Sequence, residues 1–208
     1  MTDVELLGRW RSCLRDLGAA SASEEAFADL LVRYSEPHRA YHTLQHIREC
    51  FVGFDQARSA LKEPGCVAAA LWFHDAIYDT HASDNEARSA DLARNVLRAA
   101  GVAPGAIDRI AAMILDTRHD ASPAAGDPAL LVDIDLGILG ASPERFAEYE
   151  KQVRREYDWV EDGRFRATRR RILEGFLARP RIYGSDVFSS KLELRARGNL
   201  LKSIADLA

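Results

Sequence analysis

Cys66-Val-Ala-Ala-Ala-Leu-Trp-Phe-His-Asp-Ala-Ile-Tyr78 carries no charge before Asp75. A helix that is apolar on every side is a buried one, so this run predicts the central element of a helical core. A histidine and a carboxylate side by side at its end need compensation, because an isolated buried charge is very costly. A divalent cation supplies it, and imidazole plus carboxylate is a common ligand mix. On this stretch alone, His74 and Asp75 hydrogen-bonding to neighbours at a helix end explains the pair equally well.

Working outward, the sequence from Tyr41 to Leu61 predicts a long helix with Leu44, Ile47, Phe51, Phe54 and Leu61 on one stripe, ended by Pro64-Gly65. His42 and His46 are four apart and share a face of it, away from Leu44 and Phe51, with Gly53 leaving room two turns on. Downstream, Leu-Leu-Val-Asp-Ile-Asp-Leu-Gly-Ile-Leu-Gly (130–140) offers two carboxylates. Asp135 has Leu131, Val132, Ile138 and Leu139 at its helical neighbour positions; Asp133 has Ala129, Leu130, Leu136 and Gly137. Residues two apart on a helix are roughly 200° apart, so one of the two reaches a given ion. Asp135 is the expected ligand, and Asp133 a group behind the ligands or against substrate.

Helical signals dominate the rest of the 208 residues. Helices are expected over Val4–Leu17, from Ser23 as cap to Tyr34, from a Ser83-Asp-Asn-Glu86 capping box to Ala100, and from Pro104 to His119. A small-residue loop, 121–128, follows, then Asp127-Pro128 as N-cap and first residue of a helix to Leu139. Further helices are expected over Ser142–Trp159, Arg164–Ala178 and Asp186–Ala205. No strand alternation, internal repeat or domain linker is present. The fold class is all-α, nine or ten helices in one domain. A net charge of -4 with 29% charged residues provides no basic field for nucleic acid or anionic lipid. Three scattered cysteines without a CxxC pair fit reduced thiols. With no signal-peptide pattern and no run of ~18 apolar residues, a cytoplasmic location is expected.

His46, His74-Asp75 and Asp135 together resemble the H…HD…D pattern of the HD superfamily of metal-dependent phosphohydrolases. The wider set is Arg39-Ala-Tyr-His-Thr-Leu-Gln-His46, Phe73-His-Asp-Ala-Ile-Tyr78, Asn85-Glu-Ala-Arg-Ser-Ala90, Asp133-Ile-Asp-Leu-Gly-Ile-Leu-Gly140, Val153-Arg-Arg-Glu-Tyr157 and Glu193-Leu-Arg-Ala-Arg-Gly-Asn-Leu200. These motifs resemble the bacterial branch of predicted metal-dependent HD phosphohydrolases over most of the chain. The resemblance implies the helical HD core and metal-dependent phosphohydrolysis but no substrate; a small phosphoester, with a nucleotide as the favoured class, is expected. It implies His46, His74, Asp75 and Asp135 as ligands of Mn2+, Mg2+ or Fe2+. Tyr41-His-x-x-x-His46 also resembles the tyrosine-histidine motif of cyclic-nucleotide phosphodiesterases, which makes His42 the general acid; the glutamine-bearing purine pocket of those enzymes has no counterpart motif here. Glu86 is a candidate for catalysis or for positioning water, beside its plain reading as a capping-box glutamate. Tyr41 and Asp133 are candidate substrate contacts. Arg39, Arg154 and Arg197 are candidate phosphate clamps, since guanidinium grips phosphate bidentately. The basic run Arg164–Arg171 reads as a solvated helix face. Two further readings stay open: a second metal held through His81 and His119, which admits a dinuclear-iron oxygenase, and a non-catalytic binding domain that keeps the cage for stability.

Overall fold

The computed structural model describes residues 1–21, 23–121 and 123–207; Ser122, inside the expected 121–128 loop, lies outside the described residues. Ten α-helices follow one another: α1 (Asp3–Asp16), α2 (Glu24–Arg33), α3 (Leu44–Ala57), α4 (Pro64–Phe73), α5 (Asn85–Ala99), α6 (Pro104–Asp116), α7 (Asp127–Asp135), α8 (Pro143–Glu156), α9 (Asp162–Ala178) and α10 (Asp186–Asp206). Short 3-10 turns extend α3 over Arg58–Ala60 and α7 over Leu136–Gly140. There is no strand among the described residues, so the fold is all-α as its sequence predicts. No helix among them is long and apolar enough to cross a membrane.

The apolar run forms the centre. Every residue of α4 from Gly65 to Phe73 is buried, and α1, α3, α5, α6 and α7 pack around it. Trp72 anchors the packing: Trp10, Phe27 and Phe51 surround its indole with ring centroids 6.0, 5.8 and 5.0 Å away. Each fully buried large apolar side chain contributes about 1.5–3 kcal/mol. Two glycines set the spacing. A Cβ on Gly65 would lie 3.0 Å from Asp16 Cβ, and one on Gly53 would lie 3.3 Å from Ile134 Cγ2. The room expected beside Gly53 is therefore filled by α7, which brings α3 and the carboxylate of Asp135 together.

Several helix ends differ from expectation, some through contacts distant in sequence and some through local hydrogen bonds. α3 begins at Leu44, capped by Thr43, and not at Tyr41. The backbone N–H groups of Ala40, Tyr41 and His42 all donate to Glu156 Oε1 on α8, at 2.8, 2.7 and 2.9 Å. Donors held by a distant carboxylate leave this segment as a turn, so His42 precedes the helix that carries His46. α4 ends at Phe73, with His74 as its C-cap, so the His-Asp pair stands just past the helix. The Ser83–Glu86 capping box does not form. The helix starts after Asp84 with no side-chain cap, and Asn85 ties itself to the backbone of Asp79 instead. Gly126, at φ +93°, occupies the N-cap of α7 in place of Asp127. The Asp127 carboxylate accepts from the N–H groups of Lys62 and Glu63 at the start of α4. α8 stops at Glu156, and Glu161 caps α9 by accepting from Gly163 and Arg164.

Candidate metal centre

Ends of three helices meet at one point. His46 sits in the first turn of α3, His74 and Asp75 follow α4, and Asp135 closes α7. The Nε2 atoms of His46 and His74 are 3.1 Å apart. Asp135 Oδ1 lies 3.2 Å from the first and 3.5 Å from the second. Asp75 Oδ2 lies 3.0 Å from His74 Nε2 and 3.5 Å from His46 Nε2. Donors at about 2.1 Å from one cation stand roughly 3.0–3.4 Å from each other in octahedral or tetrahedral arrangements, so these spacings fit a shared divalent ion. Both histidines are buried, and both aspartates are half-buried. His74 Nδ1 donates to Leu71 O at 3.0 Å, which leaves its Nε2 lone pair aimed at the cluster.

Cys50, one turn beyond His46, joins this group: His46, Cys50, His74 and Asp135 each offer a ligand atom within 4.8 Å of the others. This buried group can hold a metal ion. Cys50 Sγ stands 3.6 and 3.7 Å from the two nitrogens of the His46 ring, so it rests against the ring and not along one lone pair. Asp75 is thus better aimed than the thiol as a fourth donor. The His46-x-x-x-Cys50 spacing, one helical turn, is the signal by which the thiol could have been found.

The charges are mutually supporting. Burial pushes the Asp75 carboxyl up, but the charge of His74, with His42, overrides it and holds it below the usual carboxylate range. Burial likewise opposes the ionised form of Asp135, yet hydrogen bonds from His119, His46 and His74 keep its pKa well below that range. For His74, burial pulls down and the two aspartates lift it well above an ordinary histidine.

A second assembly stands beside the first. The Glu156 side chain is fully buried, and its Oε2 accepts from His42 Nδ1 at 2.8 Å and from Tyr78 Oη at 2.9 Å. Burial would raise the Glu156 carboxyl, but the charge of His42 and the backbone donors hold it at about 2. Burial lowers the His42 imidazole, and Glu156 followed by Asp75 raises it above its ordinary value. The Tyr78 ring stacks on His42 at 4.1 Å.

Asp75 and Asp135 of the first assembly and His42 and Tyr78 of the second face a cleft of about 880 Å³, with His46, His74 and Glu156 buried behind them. Tyr41, His42, Asp75, Glu86, His119 and Asp135 line it, and α9 supplies one wall. Tyr41 is buried, its Oη without a hydrogen-bond partner among the described residues, as is His119 Nδ1. His119 has φ +59°, which turns its ring inward, and its Nε2 lies 3.1 Å from Asp135 Oδ2. His81 is exposed and stacks on Trp159 at 4.0 Å, so it does not join His119 at a second ion.

Four expected substrate contacts are corrected. Arg39 is buried and donates to the carbonyls of His42, Asp75 and Ala76, filling the acceptors that the end of α4 leaves open. Asp133 is buried, and accepts from the N–H groups of Gly184 and Ser185, both at 2.7 Å; it fixes the entry to α10. Arg154 donates to Tyr157 O and Val160 O across the turn between α8 and α9. Arg197 donates to the carbonyls of Leu177, Arg179 and Pro180 past the end of α9. All four serve backbone groups far off in sequence or at helix ends, which no local pattern reveals. Of the expected solvated face, Arg164 and Arg171 are exposed, Arg169 is buried, and all three border the cleft. Glu156, the residue that holds His42, was hidden in plain view beside Arg154.

No family model, no curated protein and no solved structure matches the chain.

Proposed function

We propose that this protein is a metal-dependent phosphohydrolase that cleaves a small phosphoester, a nucleotide being the favoured class. One observation carries the reading: two imidazoles and two carboxylates converge at 3.0–3.5 Å on the floor of a cleft that His42 also faces. His46, His74, Asp75 and Asp135 would hold Mn2+, Mg2+ or Fe2+, with the nearby Cys50 thiol weighting the set toward the softer ions. Such a cation lowers the pKa of a water and polarises a phosphoryl oxygen when bound.

The chain's own residues account for the protons. Glu156 accepts the Nδ1 proton of His42, so Nε2 is the nitrogen left to protonate the departing oxygen as the phosphorus–oxygen bond breaks. A positioned donor of this kind contributes ~10²–10⁴-fold. Glu86 lines the cleft and is the group to take a proton from the attacking water. Tyr41 Oη, a buried hydroxyl without a partner among the described residues, is the group to donate to a phosphoryl oxygen. The aromatic rings of Tyr157, Trp159, Phe165 and Phe176 on the cleft wall favour a substrate with a flat apolar part.

The test is a panel of nucleotides and small phosphoesters offered to the protein loaded in turn with Mn2+, Mg2+, Fe2+, Co2+ and Ni2+, with Asp75→Ala as control. Turnover in the parent and none in the variant supports the reading. Metal binding with no hydrolysis of any ester would leave a non-catalytic binding domain. The dinuclear-iron oxygenase has one observation in its favour, His119 against Asp135, and requires two irons per chain and oxygen consumption.

A further inference from the structure

We infer that Arg179 forms an anion subsite beside the metal cluster, so that the fitting ligand carries a second anionic group, phosphate or carboxylate, close to the phosphate that is attacked. This deepens the phosphohydrolase reading and rests on it.

The connection to the cluster is direct. Arg179 follows α9 and lines the cleft. Its Nη2 donates to His119 O at 3.0 Å, and the imidazole of the same His119 meets Asp135 Oδ2 at 3.1 Å. The guanidinium lies over the Phe176 ring, 4.6 Å from its centroid, and that ring packs on His119 at 5.9 Å. The cation is thus held in place by a ring and a carbonyl, with most of its five N–H donors uncommitted.

What singles it out is the missing counter-charge. The other buried or half-buried arginines near the cleft and its back wall are satisfied: Arg39 by Glu36 and three carbonyls, Arg169 by Glu150, Arg197 by Glu193 and three carbonyls. Arg179 is half-buried and makes no ion pair among the described residues. Burial alone shifts its pKa, downward. A partly desolvated cation without a carboxylate costs free energy that a bound anion restores, and guanidinium suits the two oxygens of phosphate or carboxylate. Arg171 also lies on the cleft wall, whereas Arg118 there is paired with Asp120 at 3.5 Å.

The experiment compares substrates that differ by one anionic group on the Mn2+-loaded protein. The pairs are adenosine 5′-monophosphate with adenosine 3′,5′-bisphosphate, and ethyl phosphate with 2-phosphoglycolate, which separate a second phosphate from a carboxylate. In Arg179→Gln, kcat/KM should fall at least about tenfold further for the doubly anionic member of one pair, mainly through KM, with Arg179→Lys in between. An equal fall for both members, or none, overturns the subsite. Pyrophosphate titration by calorimetry gives a readout that needs no turnover: binding at least about tenfold weaker in Arg179→Gln supports the subsite, and unchanged binding overturns it. If no ester is hydrolysed by any form, the phosphohydrolase reading falls while the titration still decides the subsite. Should Arg179→Gln fail to fold by circular dichroism, Arg179→Lys carries the same comparison.

Discussion

Glu156→Gln isolates the role of the carboxylate behind His42 with almost no change of shape. The native side chain accepts five hydrogen bonds, three from backbone N–H groups at 2.7–2.9 Å and two from His42 Nδ1 and Tyr78 Oη at 2.8 and 2.9 Å. A glutamine carbonyl can keep the three backbone donors. Its amide NH2, however, faces His42 Nδ1 with hydrogen, so Nδ1 must accept and the imidazolium loses its counter-charge. Breaking a buried pair by removing one partner costs about 3–5 kcal/mol; because the backbone donors stay satisfied, about 2–3 kcal/mol of stability is expected to go. The pH dependence follows from the direction of each shift. His42 is raised from 6.5, so its contribution is full below 6.5 and is lost as pH rises through the folded value. Glu156 is lowered from 4.5 to about 2, so its contribution is full above 4.5 and is lost as pH falls toward 2. In the variant the Glu156 window should vanish and the His42 window should shrink, because Asp75 still favours the charged imidazole. If His42 acts as the acid, activity declines on the alkaline side at its folded pKa. In Glu156→Gln that limb should move at least about one unit toward acid, and kcat should fall roughly 10²–10³-fold, within the range for a general acid. The assay is kcat against pH with a chromogenic phosphoester, metal content being checked in parallel. A nuclear magnetic resonance titration of the His42 ring gives the same pKa without turnover. A folded variant with neither pKa nor limb displaced would refute the reasoning.

Other substitutions separate the roles of neighbouring groups. His42→Ala should retain its metal while losing about 10²–10⁴-fold in turnover, whereas His74→Ala and Asp75→Ala should lose both; elemental analysis of the purified variants reads the difference. Gly53→Val drives methyl groups into Ile134, 3.3 Å from where a Cβ would stand, and should cost about 1–3 kcal/mol in denaturant melts and weaken metal binding by parting α3 from α7. Asp133→Ala leaves the N–H groups of Gly184 and Ser185 without their acceptor, a loss of about 1–3 kcal/mol for each unsatisfied group. Its kcat should stay near the parent's once folded, because the side chain faces α10 and not the cleft.

The helices that announce themselves by local pattern are the ones found where the sequence puts them. α4 is apolar all round and is buried all round; α6 starts at Pro104, and α10 opens at Asp186 as expected. His74 and Asp75 stand out because polar groups at the end of a greasy segment must be compensated, Asp135 because its helical neighbours are apolar, and His46 by its four-residue spacing from His42. Where expectation failed, a side chain's own hydrogen-bond partner or the packing of a helix decided, and local pattern shows neither. The Tyr41-His42 turn looks helical until a carboxylate on α8, more than a hundred residues on, claims its N–H groups. Within Val153-Arg-Arg-Glu-Tyr157, Arg154 braces a turn and Glu156 is the residue that meets His42. In the basic run of α9, Arg164, Arg170 and Arg171 are exposed as expected, while Arg169 is buried against Glu150 of α8, a contact that only the packing of the two helices reveals.

The cluster also makes a prediction that distinguishes a metal cage from a buried ion pair. Two Nε2 atoms 3.1 Å apart repel through their lone pairs unless something positive lies between them, and a proton on His74, favoured by Asp75 and Asp135, meets that need as a metal does. The two occupants therefore compete. Ligation requires neutral imidazole, so adding metal to chelator-treated protein near neutral pH should release about one proton per ion. Because the His74 pKa is raised, affinity should rise with pH until that proton is gone and weaken as pH falls. Metal binding also stabilises the folded chain by mass action, about 2.7 kcal/mol at a hundredfold excess over Kd, so chelator should lower the melting temperature more at pH 8 than at pH 6. Calorimetric titration in two buffers of different ionisation enthalpy counts the protons. A metal that binds with no proton release and with affinity independent of pH would mean that the ion sits elsewhere and that the His-Asp group is a structural ion pair.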